Sequence, residues 1–70
     1  METEFTIQLN GTTRPVPAGS MVLTLLQSLG LSDVPVLVEH NTTALFPRDF
    51  PITALTTGDT VEIIRIVAGG

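Results

Sequence analysis

Only one stretch of the chain carries a helical period. Val22, Leu25, Leu26 and Leu29 fall at i, i+3, i+4 and i+7, a single apolar stripe within residues 21–29. Ser20 is placed to cap the first turn, Gly30 to take the left-handed conformation after the last, and Leu31 to fold back behind it. A helix of about nine residues is not stable alone in water, because nucleation is costly and few bonds follow it. It needs an apolar surface to lie on, and one helix of this length covers only one face of a small sheet.

The flanking segments supply that sheet. Phe5, Ile7 and Leu9 alternate with Thr6 and Gln8, the period of a half-buried strand. Asn10-Gly11 follows, a dipeptide that accepts positive φ at both turn positions, so TTRPV returns as the second strand of a hairpin. Pro15 has no N–H for a ladder, which puts that strand at an edge. After the helix, VPVLVEHN is apolar on both parities, as a central strand is, and TTALF is a short fourth strand. PRDFPITALTTGDT is loop with a turn at Thr57-Gly58-Asp59, and TVEIIRIV is the last strand. Val61, Ile63 and Arg65 share one parity of it; Glu62, Ile64 and Ile66 share the other. Its second half is therefore either buried on both sides or leaves an apolar patch exposed. The order ββαββ is that of the β-grasp fold: an α+β domain with a mixed four- to five-stranded sheet packed on one main helix. The expected division is a β-grasp domain over residues 1–66 and a flexible C-terminal tail over residues 67–70.

Composition restricts the function. Seventy residues without a composition break make one domain, and 43% apolar content supplies a core. No apolar run approaches a membrane span, and the N-terminus lacks the pattern of a secretory signal, so a soluble, cytoplasmic protein is expected. There is no cysteine, which removes disulfides, thiolate metal sites and thiol nucleophiles together. Net charge is −4 and the only permanent cations are Arg14, Arg48 and Arg65, too few for a phosphate-tracking patch, so nucleic acid is not an expected partner. His40 is the only imidazole, lysine, tyrosine and tryptophan are absent, and the seven acids are scattered. Nucleophile–base pairs, carboxylate dyads and metal-ligand clusters cannot be assembled readily from this inventory, and no phosphate-cradling glycine loop is present. The expectation is a protein with no catalytic residues, metal or bound cofactor of its own. Asp49 beside Arg48 reads as a loop ion pair or capping group, and His40 as a packed or edge histidine.

One group remains distinctive. The chain ends in EIIRIVAGG, and Gly69-Gly70 places a carboxylate on a side-chain-free arm. Such an arm fits a narrow site where any Cβ would collide, and residues 67–70 extend roughly 13 Å. A carboxylate is inert until activated, typically by adenylation.

These features together resemble the ThiS sulfur carrier proteins of thiamine biosynthesis, within the ubiquitin-like ThiS/MoaD superfamily. The similarity runs through LNG, PAGSMVLTLLQSLGL, VLVEHN, FPRDF and TTGDTVEIIRIVAGG, the last block being the most specific. Two departures stand out: Asn41-Thr42 where the family often has Asn-Gly, implying a different turn geometry, and Phe50 where tryptophan is common. The resemblance implies that a ThiF-like enzyme adenylates the Gly70 carboxylate with MgATP. Sulfur originating from a cysteine desulfurase then displaces AMP to leave a thiocarboxylate, and a ThiG-like thiazole synthase takes that sulfur. The absence of cysteine agrees, since sulfur carried by this chain must then reside on the C-terminus. Beside the Gly69-Gly70 arm, Ile64 and Ile66 are candidates for one shared partner surface and Arg65 for an ion-pair contact. Three other readings stand beside this one. A MoaD-type carrier for molybdopterin synthesis shares the thiocarboxylate; a ubiquitin-like modifier would show an isopeptide-linked Gly70; a non-covalent interaction domain would tolerate loss of Gly69 and Gly70.

Overall fold

The computed structural model describes residues 3–67. Five strands and one α-helix follow the order β1 (Glu4–Leu9), β2 (Thr12–Pro17), α1 (Val22–Ser28), β3 (Val36–His40), β4 (Thr43–Leu45) and β5 (Thr60–Arg65), with a 3₁₀ turn at Pro47–Asp49. The sheet order is β2-β1-β5-β3-β4, and β1 runs parallel to β5 while the other pairs are antiparallel. This is the mixed five-stranded β-grasp sheet with one helix on one face. Pro15 lies on an edge strand, as its missing donor requires.

The β1–β2 hairpin turns at Asn10 (φ 49°) and Gly11 (φ 80°), both in the left-handed region. Ile7, Val16, Val38, Val61 and Ile63 face the helix, where they pack with Val22, Leu25, Leu26, Phe50 and Leu55 to form the core. Phe50 is thus a core residue. The helix ends in a complete Schellman motif: Gly30 has φ +73°, its N–H donates to the Gln27 carbonyl at 3.1 Å, and the Leu31 N–H donates to that of Leu26 at 2.8 Å.

Two local expectations are corrected. Ser20 is not the N-cap: its hydroxyl donates to the Pro17 carbonyl at 2.6 Å, and the cap position belongs to Met21. Its amide donates to the Thr24 hydroxyl at 2.7 Å. Two of the free N–H groups of the first turn are satisfied from a distance, Val22 by the Thr53 carbonyl and Leu23 by the Phe50 carbonyl, both at 2.9 Å. The β3–β4 turn also keeps positive φ at both positions, 49° at Asn41 and 70° at Thr42, so threonine occupies the position for which glycine is favoured. The hydrogen bonds that Asn41 makes, described below, hold this geometry in place.

Candidate functional site: the last strand and its open face

β5 leads from the densest polar cluster among the described residues toward the C-terminus. At its start, Asp59 is buried and accepts four hydrogen bonds: from His40 Nε2 at 2.7 Å, Asn41 Nδ2 at 3.1 Å, the Thr56 amide at 2.9 Å and the Thr56 hydroxyl at 2.9 Å. Because a carboxylate only accepts, His40 must carry its proton on Nε2. Burial alone would raise the Asp59 pKa, but the bonds from His40, Asn41 and Thr56 outweigh it and lower the value from 3.8 to about 2. Asn41 Oδ1 in turn accepts the Thr60 amide at 2.8 Å. The cluster ties the β3–β4 turn to the start of β5. Its geometry is structural: the His40 nitrogen that faces Asp59 is engaged by that carboxylate.

A second clamp holds the middle of β5. β1 pairs with β5 only at Gln8–Thr60 and Leu9–Val61. Beyond them the Asn10 side chain takes over as a strand would, accepting the Ile63 amide at 2.8 Å and donating to the Ile63 carbonyl at 3.2 Å. Sequence patterning finds Asn10 as a turn former and has no signal for this contact, which spans 53 positions.

From Ile63 onward the strand serves two faces. Val61 and Ile63 anchor the core. Ile64 is 60% exposed and lies across from Leu37, itself 58% exposed, on the face of the sheet away from the helix. That face has a groove of about 250 Å³ lined by Leu37, Ala44 and Ile64 together with Glu39 and Glu62. The apolar run in β3 therefore has two causes: Val38 enters the core, whereas Leu37 lies on the open face. Arg65 is opposite Val36, on the other parity from Ile64. Ile66 lies past the strand, its amide bonded to the Pro35 carbonyl at 3.0 Å, and lines a separate depression with Leu23, Pro47 and Phe50. The three candidate partner residues thus do not form one surface. Ile64 belongs to the open face, Ile66 to the depression beside the helix, and Arg65 lies between them. Gly69 and Gly70 lie outside the described residues; Val67, the last one described, is 81% exposed.

The remaining candidates have local roles. Asp49 caps the 3₁₀ turn, its Oδ2 accepting the Phe46 amide at 2.9 Å, and Arg48 stacks on the Phe46 ring at 4.8 Å. The two do not pair with each other. Among the described residues there is no cluster of three potential metal ligands and no helix long and apolar enough to cross a membrane.

Comparison with known proteins identifies the lineage. The family model described as the ThiS family matches residues 7–70. No curated protein sequence matches significantly. Among solved structures, the crystal structure of thiamine biosynthesis protein ThiS from Geobacter metallireducens superposes with a TM-score of 0.79 at 29% identity, covering 94% of this chain and all of that one. The NMR solution structure of a thiamine biosynthesis protein from the same organism gives 0.75 at 29% identity, covering 94% of this chain and 88% of that one. With the β-grasp order and a matched region that reaches the terminal glycines, the chain belongs to the ThiS family.

Proposed function

We propose that this protein carries sulfur for thiamine biosynthesis as a thiocarboxylate on Gly70. The observation that carries the reading is the family match through residue 70, which takes in the Gly69-Gly70 terminus along with the fold. In the first step the Gly70 carboxylate attacks the α-phosphorus of MgATP on a ThiF-like adenylyltransferase, pyrophosphate leaves, and an acyl adenylate forms. A sulfide-equivalent nucleophile, with its sulfur originating from a cysteine desulfurase, then attacks the acyl carbon and expels AMP. One carboxylate oxygen has become sulfur. A ThiG-like thiazole synthase takes that sulfur for the thiazole ring.

In this scheme the chain supplies no acid, base or nucleophile other than its own terminus; the enzymes do the chemistry and bring the MgATP. Two properties of the sequence support the division. Without cysteine the chain has no thiol to hold a persulfide, and without lysine it has no ε-amine to attack its own activated acyl group.

The test is intact-mass measurement after incubation with ATP, the adenylyltransferase and a sulfur source. Replacement of one oxygen by sulfur, mapped to Gly70, is the expected result. An unchanged mass with an enzyme that modifies another ThiS protein in parallel would refute it. Rescue of a strain that requires thiamine, lost on deleting Gly69 and Gly70, assigns the sulfur to the thiazole branch.

A further inference from the structure

The β3–β5 register places Glu39 directly opposite Glu62 on the open face. Like charges directly across a sheet are destabilising, and here nothing in the described chain offsets them. Arg48 is stacked on Phe46, Arg65 lies on the other parity of β5, and Arg14 is opposite Ile7 on the core parity of β2. The only contact at salt-bridge distance between a basic side chain and a carboxylate among the described residues is His40–Asp59, at the far end of β5. Beside the two carboxylates lie Leu37, Ala44 and Ile64, which form the apolar part of the groove.

We infer that this groove docks the adenylyltransferase through an apolar patch carrying an arginine, whose guanidinium lies between the Glu39 and Glu62 carboxylates while apolar groups cover Leu37 and Ile64. This rests on the sulfur-carrier reading. Charge complementarity defines the chemistry of the occupant: two facing carboxylates match the multiple donors of one planar guanidinium, and apolar side chains at their margin exclude water from that contact. Position defines which protein it is. Ile64 and Glu62 lie on the strand that leads to Gly70, and six residues extend at most about 20 Å, so an enzyme seated on this groove has its adenylation site within reach of the carboxylate. Adenylation is the step with which each round of carriage begins.

The groove makes binding, not chemistry, depend on the two acids, and this separates the kinetic constants. ATP–pyrophosphate exchange is measured with the full chain and the adenylyltransferase, comparing wild type, the Glu39→Gln/Glu62→Gln double variant, and a Glu4→Gln/Asp33→Asn control with the same net charge. The expected result is at least a roughly tenfold rise in KM for the double variant with kcat unchanged, a weaker salt dependence of kcat/KM, and little change for the control. Thermal unfolding of the double variant should match or exceed that of wild type, since a repulsive pair has been removed. If wild type supports exchange and the double variant keeps its KM, or if the control shifts equally, the docking assignment is wrong while the carrier reading stands. No exchange with the wild-type chain overturns both.

Discussion

Asp59 offers the most direct test of how the fold is held. The residue is only 8% exposed and its carboxylate accepts four hydrogen bonds. The pKa falls from 3.8 to about 2, and a difference of nearly two units corresponds to about 2 kcal/mol favouring the ionised native form. The sign follows from the direction of the shift. A depressed carboxylate contributes its full stability above the unfolded value of 3.8 and loses it as pH falls through the folded value of about 2. About half should remain near pH 3. A domain of this size has a total stability of roughly 4–10 kcal/mol, so the contribution is a large share of it.

The perturbation is Asp59→Asn, which keeps the shape but replaces an acceptor oxygen by a donor NH₂ facing existing donors. Urea unfolding at a series of pH values, for wild type and variant, isolates Asp59 because the other carboxylates contribute equally to both chains. The variant should be less stable by about 2 kcal/mol at pH 7, and the gap should close progressively between pH 4 and about pH 2. A gap that stays constant over that range would refute the argument that charge-assisted hydrogen bonds, and not shape alone, hold the cluster.

Four further substitutions probe separate parts of the structure. Thr42→Gly should stabilise the protein by about 1 kcal/mol in urea unfolding, because relief of the left-handed threonine exceeds the entropy that glycine adds to the unfolded chain. Asn10→Gly retains the positive φ of the turn but removes both bonds to Ile63, so it should cost about 1–3 kcal/mol and speed hydrogen exchange at the Ile63 amide. Ile64→Asp should leave the domain folded, with a loss of about 1 kcal/mol or less, while abolishing saturable exchange kinetics with the adenylyltransferase. Leu26→Ala, at a site 1% exposed, should instead cost about 2–5 kcal/mol in the same unfolding assay.

Much of this molecule is legible locally. The 3.6-residue period locates α1, the alternation at Phe5, Ile7 and Leu9 locates β1, and Asn10-Gly11, Pro15 and Gly30 assign a turn, an edge and a helix stop, because each depends on the conformation of a few neighbouring residues. The contacts that escape are those between distant segments. Helix capping by the Phe50 and Thr53 carbonyls requires a loop that arrives some thirty positions later. The turn at Asn41-Thr42 keeps its geometry through Asp59 and Thr60, which no local rule contains. Ile66 shares the parity of Ile64, yet β5 ends at Arg65, so the alternation rule no longer governs it. The Glu39–Glu62 opposition exists only in the register of two strands separated by more than twenty positions.

The placement of these polar contacts along β5 has a mechanical consequence for a carrier. Asp59 and Asn41 hold the start of the strand, Asn10 holds its middle, and the Ile66 amide bonds the Pro35 carbonyl just past its end. Among the described residues the side-chain clamps thus lie at the start and the middle of the strand. A strand fixed at its origin keeps Glu62 and Ile64 in register with Glu39 and Leu37, which a docking groove requires, because a slip of one residue would turn both to the core face. Weakening Asn10 should therefore impair docking as well as stability, raising KM for adenylation under conditions where the variant is still fully folded. An Asn10→Gly chain that unfolds more easily but keeps the wild-type KM would separate the two roles and confine Asn10 to folding.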